Sequence, residues 1–267
     1  MPGLLLVNPR SGSGPPDADE LADEAGRRGI EVHVLAEGDD PAEAARSTDA
    51  EALGIAGGDG SLGAVAAVAL ERGVPFVCVP FGTRNHFARD LGLDRDDPVA
   101  ALDAFSAGSE RRIDVGRVGE RVFLNNVSFG MYAGLVHRRE RRRRRREALA
   151  RVHALWLTLR NPRPQHVTVD GEPLVARVIL VANNDYELDL LSLGERERLD
   201  DGELHLYAAH GVVRSTWEER TGERFVIDTP GARVQAAVDG EPAELETPLE
   251  LLVEPRALRV LVPSELP

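Results

Sequence analysis

From residue 3 to about 107, short apolar runs alternate with stretches whose apolar positions recur at helical spacing. GLLLV, IEVHVL, ALGIAG and VPFVCVP read as strands, and segments near 17–28, 41–48 and 61–72 read as the helices between them. Strand and helix in alternation build a parallel sheet wrapped by helices, an α/β domain. Open sheets of this kind bind ligands at the carboxyl ends of their strands, and the glycine-rich turns of this half all fall there.

After about residue 110 the pattern shortens to strand-like segments joined by Gly, Pro and Asp turns: RRIDVGRV, RVFLNNVSF, QHVTVDG, ARVILVANN, ELHLYAA, ERFVIDT, ARVQAAVDG and LELLVEP. This texture predicts an all-β antiparallel sandwich or barrel. One long helix interrupts it, from roughly Tyr132 to Leu159, with Leu149, Val152, Leu155, Trp156 and Leu159 on one face. Two domains are therefore expected, 1–110 and 111–267, with the return of the C-terminal segment to the first domain left open. The pentapeptide VDGEP occurs at 169–173 and again at 238–242, which fits two hairpin turns better than a repeat architecture.

Bulk properties narrow the function. At 267 residues and 42% hydrophobic content the chain can bury a sizeable core. A net charge of −13 argues against a nucleic-acid partner, because a phosphate backbone rewards a basic surface. Every basic side chain among the 32 Lys+Arg is an arginine. Eight of them sit in HRRERRRRRRE (137–147), read either as a solvated face or as a patch that meets anionic lipid headgroups. The single cysteine, Cys78, lies in an apolar run and reads as a buried core thiol. The first apolar run is too short for a signal peptide or membrane span, so the expected location is cytoplasmic, with attachment to a membrane surface left open.

Three strand ends carry the candidate chemistry. GGDGS (Gly57, Gly58, Asp59, Gly60, Ser61) follows the third strand and opens a helical pattern, so backbone N–H groups and a helix N-terminus can meet a phosphate, with Ser61 a candidate N-cap. The bland alternative is a tight turn without a ligand. NPRSGSG (8–14) ends the first strand and PFGTRNHFARDLGL (80–93) follows the fourth, so three polar, glycine-bearing turns share one sheet edge. Together they point to a nucleotide or phosphate site.

In order and spacing, NPRSGSG, GGDGS and the P-x-GT-x-N-x-FAR-x-LG run resemble the diacylglycerol kinase catalytic-domain family, the soluble diacylglycerol and sphingosine-type lipid kinases. NNVSFGMYA (125–133), VANNDY (181–186), LGERERLDDGELHLY (193–207) and the late VDGE (238–241) resemble its later landmarks. The resemblance implies a first domain similar to those of phosphofructokinases and NAD kinases, a C-terminal β-sandwich, and ATP with Mg²⁺ in a cleft between them. By the same resemblance Asn8, Ser11, Gly57, Gly58, Gly60, Ser61 and Thr83 line the nucleotide, with Asp59 near the catalytic magnesium. Asp239 is then the general base and Glu241 its neighbour. Asp201 becomes the side-chain ligand of a structural magnesium, with the carbonyls of Arg198 and Glu203 beside it, although an ordinary Asp-Gly turn explains the same residues.

Three residues depart from the family pattern. Ser61 stands where Thr is usual, which keeps the hydroxyl. Arg84 and His86 stand where Gly and Asp are usual, and His86 thereby replaces an acidic residue of the network around magnesium. The implied activity is transfer of the ATP γ-phosphate to a hydroxyl of a diacylglycerol-like or sphingoid lipid. The alternatives are a non-catalytic lipid- or nucleotide-binding relative and a kinase of a soluble alcohol. Expected partners are the lipid substrate and an anionic membrane met through Arg138–Arg146, with a homodimer as a further option.

Overall fold

A computed structural model describes residues 2–12, 14–82, 85–130, 164–186, 196–210 and 217–264. The expected helix over 132–159, the arginine run, Thr83 and Arg84 lie outside the described residues. The chain divides into two compact units. The first comprises Met1–Val115, Glu187–Asp201 and Pro255–Pro267, and the second Gly116–Tyr186 and Gly202–Glu254.

The first unit is α/β. Its strands β1 (Gly3–Val7), β2 (Glu31–Val34), β3 (Ala52–Gly57) and β4 (Phe76–Pro80) alternate with helices α1 (Ala18–Arg27), α2 (Pro41–Arg46) and α3 (Asp59–Arg72). The strands run parallel in the order β2-β1-β3-β4. β1, β3 and β4 are buried along their whole length, as strands covered on both faces must be, which is why they read as continuous apolar runs. Leu5, Val7, Val77, Val79 and Phe81 pack against Leu21 and Ala25 of α1 on one side. Full burial of one such side chain contributes about 1.5–3 kcal/mol. Asp17 caps α1 through a capping box, accepting the Glu20 N–H at 2.9 Å while Glu20 accepts the Asp17 N–H at 2.9 Å.

Short helices α4 (His86–Asp90), α5 (Pro98–Ala101) and α6 (Ala104–Ala107) follow, then strand β5 (Gly108–Val118). In the second unit come β6 (Arg121–Phe123), β7 (Asn126–Gly130), β8 (Gln165–Val169), β9 (Glu172–Ala176), β10 (Val178–Asn183), β11 (Leu204–Ala209), β12 (Trp217–Gly222), β13 (Arg224–Asp228), β14 (Arg233–Val238) and β15 (Glu241–Glu246). The last strand, β16 (Leu249–Pro263), begins in the second unit and ends in the first, where Val260 and Leu261 run parallel to Phe76 and Val77.

The second unit is an antiparallel sandwich. One sheet has the order β12-β11-β10-β7-β14-β15. Its inward residues, among them Val127, Phe129, Ile179, Val181, Leu204 and Leu206, share a core with Val167, Val169, Phe225, Ile227 and Leu251 of β8, β13 and β16. Both VDGEP copies are two-residue hairpins. Asp170 (φ 53) with Gly171 (φ 85) joins β8 to β9, and Asp239 (φ 48) with Gly240 (φ 85) joins β14 to β15. Positive φ at both central residues is the turn that matches the strand twist, and Asp-Gly tolerates it well.

Candidate active site

The strand order makes β1 the switch point of the parallel sheet, since the chain moves to one side for β2 and to the other for β3. Crevices at such points are where sheets of this class take ligands. The turns after β1, β3 and β4 meet there. Asn8 donates its N–H to the Ala56 carbonyl at 2.9 Å and accepts the Arg10 N–H on its side-chain oxygen at 3.1 Å, while Ser11 N–H reaches the Asn8 carbonyl at 3.1 Å.

Two glycines permit the close approach. A Cβ on Gly12 would stand 2.4 Å from the Phe81 ring. One on Gly82 would stand 2.6 Å from the Gly58 Cα and 2.7 Å from Asn85 Oδ1. Asn85, at φ 47, uses its side chain to brace this contact, accepting the Gly82 N–H at 2.8 Å and donating to the Gly82 carbonyl at 2.9 Å. Asn85 is buried and its side chain does not cap α4.

Asp59 supplies that cap from the neighbouring turn. Its carboxylate accepts the N–H of His86 at 3.3 Å and of Phe87 at 3.2 Å, one on each oxygen, so the start of α3 is tied to the start of α4. Each oxygen keeps further acceptor capacity, and carboxylate oxygen is the donor type magnesium takes. Ser61 is not the N-cap of α3. The helix begins at Asp59 with Gly58 as N-cap, and both the N–H and the hydroxyl of Ser61 bond the Gly58 carbonyl at 2.9 Å, so the chain turns helical earlier than the sequence suggested. Gly60 is exposed in the first turn of α3 and Gly57 ends β3. Burial, reinforced by the negative charge of Asp59, pushes the Cys78 thiol far up, so it stays protonated and inert beneath the site.

Around α4 the sequence reading missed a buried ion pair. Arg196 Nε donates to Asp90 Oδ2 at 2.8 Å, with side chains 0% and 2% exposed. Asp90 also receives Arg89 at 2.9 Å. The partners are 106 residues apart, so no local pattern announces them.

The other expected residues fall elsewhere. Asp239 is buried in the second unit and its carboxylate accepts three backbone N–H groups, Leu124 at 2.8 Å, Asn125 at 2.7 Å and Asn126 at 3.0 Å. Glu241, at the start of β15, is exposed. Arg198 Nε donates to Asp200 Oδ1 at 3.2 Å and pairs with Asp201 Oδ1 at 3.2 Å, and Asp200 is held below the usual carboxylate range, first by Arg256 and then by Arg198. The Glu203 carbonyl accepts the Asn184 N–H at 3.0 Å. In this structure these residues form an ion-paired turn, and a magnesium held by Asp201 with the carbonyls of Arg198 and Glu203 would take the place of the exposed Arg198 guanidinium.

Residues 2–118 match the model of the diacylglycerol kinase catalytic domain. The protein named Probable lipid kinase YegS-like, from Klebsiella pneumoniae (strain 342), is 27% identical over 296 aligned positions that cover 100% of this chain and 98% of the relative. A diacylglycerol kinase of Mycobacterium tuberculosis (strain CDC 1551 / Oshkosh) is 30% identical over 192 positions, 66% of this chain and 62% of that protein. A solved diacylglycerol kinase structure from Bacillus anthracis str. Sterne shares the fold with a TM-score of 0.71 at 19% identity, covering 98% of this chain and 97% of the other. Among the described residues no helix is long and apolar enough to cross a membrane.

Proposed function

We propose that the protein is an ATP-dependent lipid kinase that transfers the γ-phosphate to a hydroxyl of a diacylglycerol-like or sphingoid lipid. The observation that carries this reading is the meeting of three sheet-edge turns at the switch point, with Gly58 against Gly82 and Asp59 tying α3 to α4. The names of the relatives supply the lipid class. Backbone N–H groups of the Gly57–Ser61 turn and the α3 N-terminus would receive phosphate oxygens, with Asn8, Ser11 and Thr83 alongside. Asp59 would hold the magnesium that accompanies ATP, which supplies neutralisation of phosphate charge.

In the reaction the acceptor oxygen attacks the γ-phosphorus, the bond to the bridging oxygen of ADP breaks, and the hydroxyl proton passes to a carboxylate. Asp239 and Glu241 are the groups proposed for it. Because three backbone N–H groups engage Asp239, the geometry favours Asp239 as the residue that sets the turn and exposed Glu241 as the proton acceptor.

The test is incubation of pure protein with radiolabelled ATP, magnesium and a panel of acceptors: diacylglycerol and sphingoid bases in mixed micelles, a nicotinamide nucleotide and sugars in solution. Label in a lipid product supports the proposal. Label only in a soluble alcohol replaces the acceptor class, and retention of ATP in a thermal-shift assay without any turnover makes the protein a binder.

A further inference from the structure

The second unit carries a side-chain cluster that phosphoryl transfer does not use. Alternation along β11 puts Leu204, Leu206 and Ala208 in the sandwich core and turns His205 and Tyr207 to the opposite face. Tyr207 stands directly across from Glu219 of β12, so Glu219 shares that face and lies diagonal to His205. Asp185, just past the end of β10, reaches the same spot. His205 Nδ1 is 3.4 Å from Glu219 Oε1 and 3.6 Å from Asp185 Oδ1, and one donor atom from each of the three residues lies within 4.8 Å of the others.

The cluster has a supporting layer. The Tyr207 hydroxyl donates to Asp185 Oδ1 at 2.7 Å and accepts the Tyr186 N–H at 3.1 Å, which fixes the carboxylate that is otherwise 63% exposed. Such an outer hydrogen bond is what orients a carboxylate toward a metal.

We propose that Asp185, His205 and Glu219 bind a divalent transition-metal ion, with zinc the best fit, at a site separate from the nucleotide turns. A tetrahedral ion with bonds of about 2.0–2.1 Å spaces its ligand atoms about 3.4 Å apart, close to both imidazole–carboxylate separations, 3.4 and 3.6 Å. One imidazole nitrogen with two carboxylates is a borderline donor set, which takes zinc, cobalt or manganese in preference to the all-oxygen sites of magnesium and calcium. Two carboxylates and a neutral imidazole carry two negative charges, which the ion neutralises. Three protein ligands leave a coordination position open to water. The bound ion would tie β11 and the segment after β10 to β12, the terminal strand of its sheet, and so brace an exposed edge.

The competing account is a protonated His205 paired with two acids and no metal. Untagged full-length protein, stripped with a chelator, is titrated with zinc chloride and separately with cobalt chloride by calorimetry, in excess magnesium. The expected result is one equivalent bound, a higher thermal midpoint with zinc, and visible cobalt absorption of a four-coordinate N/O site. His205→Gln and Glu219→Gln should each abolish saturable binding, and Tyr207→Phe should weaken it roughly 10–100-fold. Near-UV circular dichroism of the metal-free variants checks the fold, and exposed Glu219 keeps the test valid if His205→Gln is destabilised. The proposal is overturned if no saturable binding occurs, if binding survives both ligand substitutions, or if Asp201→Asn removes it instead.

Discussion

The two Asp-Gly hairpins offer an internal control, because Asp170 and Asp239 share the local sequence and the turn but differ in what their carboxylates hold. Turn chemistry alone makes Asp→Asn neutral at both. At Asp239 one amide oxygen can retain the N–H groups of Asn125 and Asn126, but the amide NH₂ must then face the Leu124 N–H, donor against donor. An orphaned buried donor costs about 1–3 kcal/mol, and weakening of the two remaining charge-assisted bonds brings the expected loss to about 2–3 kcal/mol. At roughly 2–4 °C per kcal/mol for a domain of this size, the midpoint should fall by about 4–12 °C. Among the described residues Asp170 accepts only the Val226 N–H, at 2.8 Å and at an exposed position, which an amide oxygen also satisfies, so the loss there should stay within about 0.5 kcal/mol. Thermal unfolding of the two purified variants, followed by circular dichroism, measures both. Equal shifts, or a shift near zero at Asp239, would refute the three-donor reasoning. Glu241→Gln completes the set: loss of roughly 10²–10⁴ in kcat with an unchanged midpoint is expected of the proton acceptor.

Three further outcomes are expected. Asp59→Asn should lower kcat roughly a hundredfold or more in the phosphoryl-transfer assay and loosen the start of α4 at a cost of about 1 kcal/mol; wild-type turnover would remove Asp59 from the site. Arg196→Met leaves buried Asp90 with Arg89 as its guanidinium partner and should cost up to about 3–5 kcal/mol, whereas Arg196→Met with Asp90→Leu should lose less than the single change; strict additivity in denaturant unfolding would dissolve the pair. Vesicle binding should require anionic lipid, weaken with salt and fall when Arg142, Arg143, Arg144 and Arg145 become Gln; unchanged cosedimentation would return the run to a solvated role.

The parallel half was legible because strands buried on both faces announce themselves as continuous apolar runs, as in GLLLV and ALGIAG. The duplicated VDG turns were legible because Asp-Gly chemistry is local. Strands β9, β12 and β15 were not identified. WEERTG of β12 is a charged edge strand with no apolar face to show, and β9 and β15 open on Glu-Pro, where only the turn before them signals pairing. The expected segment at 249–255 continues to Pro263 as one strand, since the second half of β16 gains its partner from β4, far away in sequence. Site residues announced by glycine spacing were named, whereas Asn85 as a brace, Asp90 with Arg196, and Asp185 with His205 and Glu219 depend on contacts between distant segments.

Calorimetric titration of ATP with magnesium into the wild type and Gly82→Ala tests most directly whether the three turns form the nucleotide site. The added Cβ would stand 2.6 Å from the Gly58 backbone, so the Gly57–Ser61 turn must shift, while the strands beneath it are untouched. The account predicts saturable binding by the wild type and at least about tenfold weaker binding by the variant, a loss of about 1.4 kcal/mol or more, measured below a thermal midpoint lowered by about 2–12 °C. Equal affinity in the two proteins, or no ATP binding by the wild type, would contradict it.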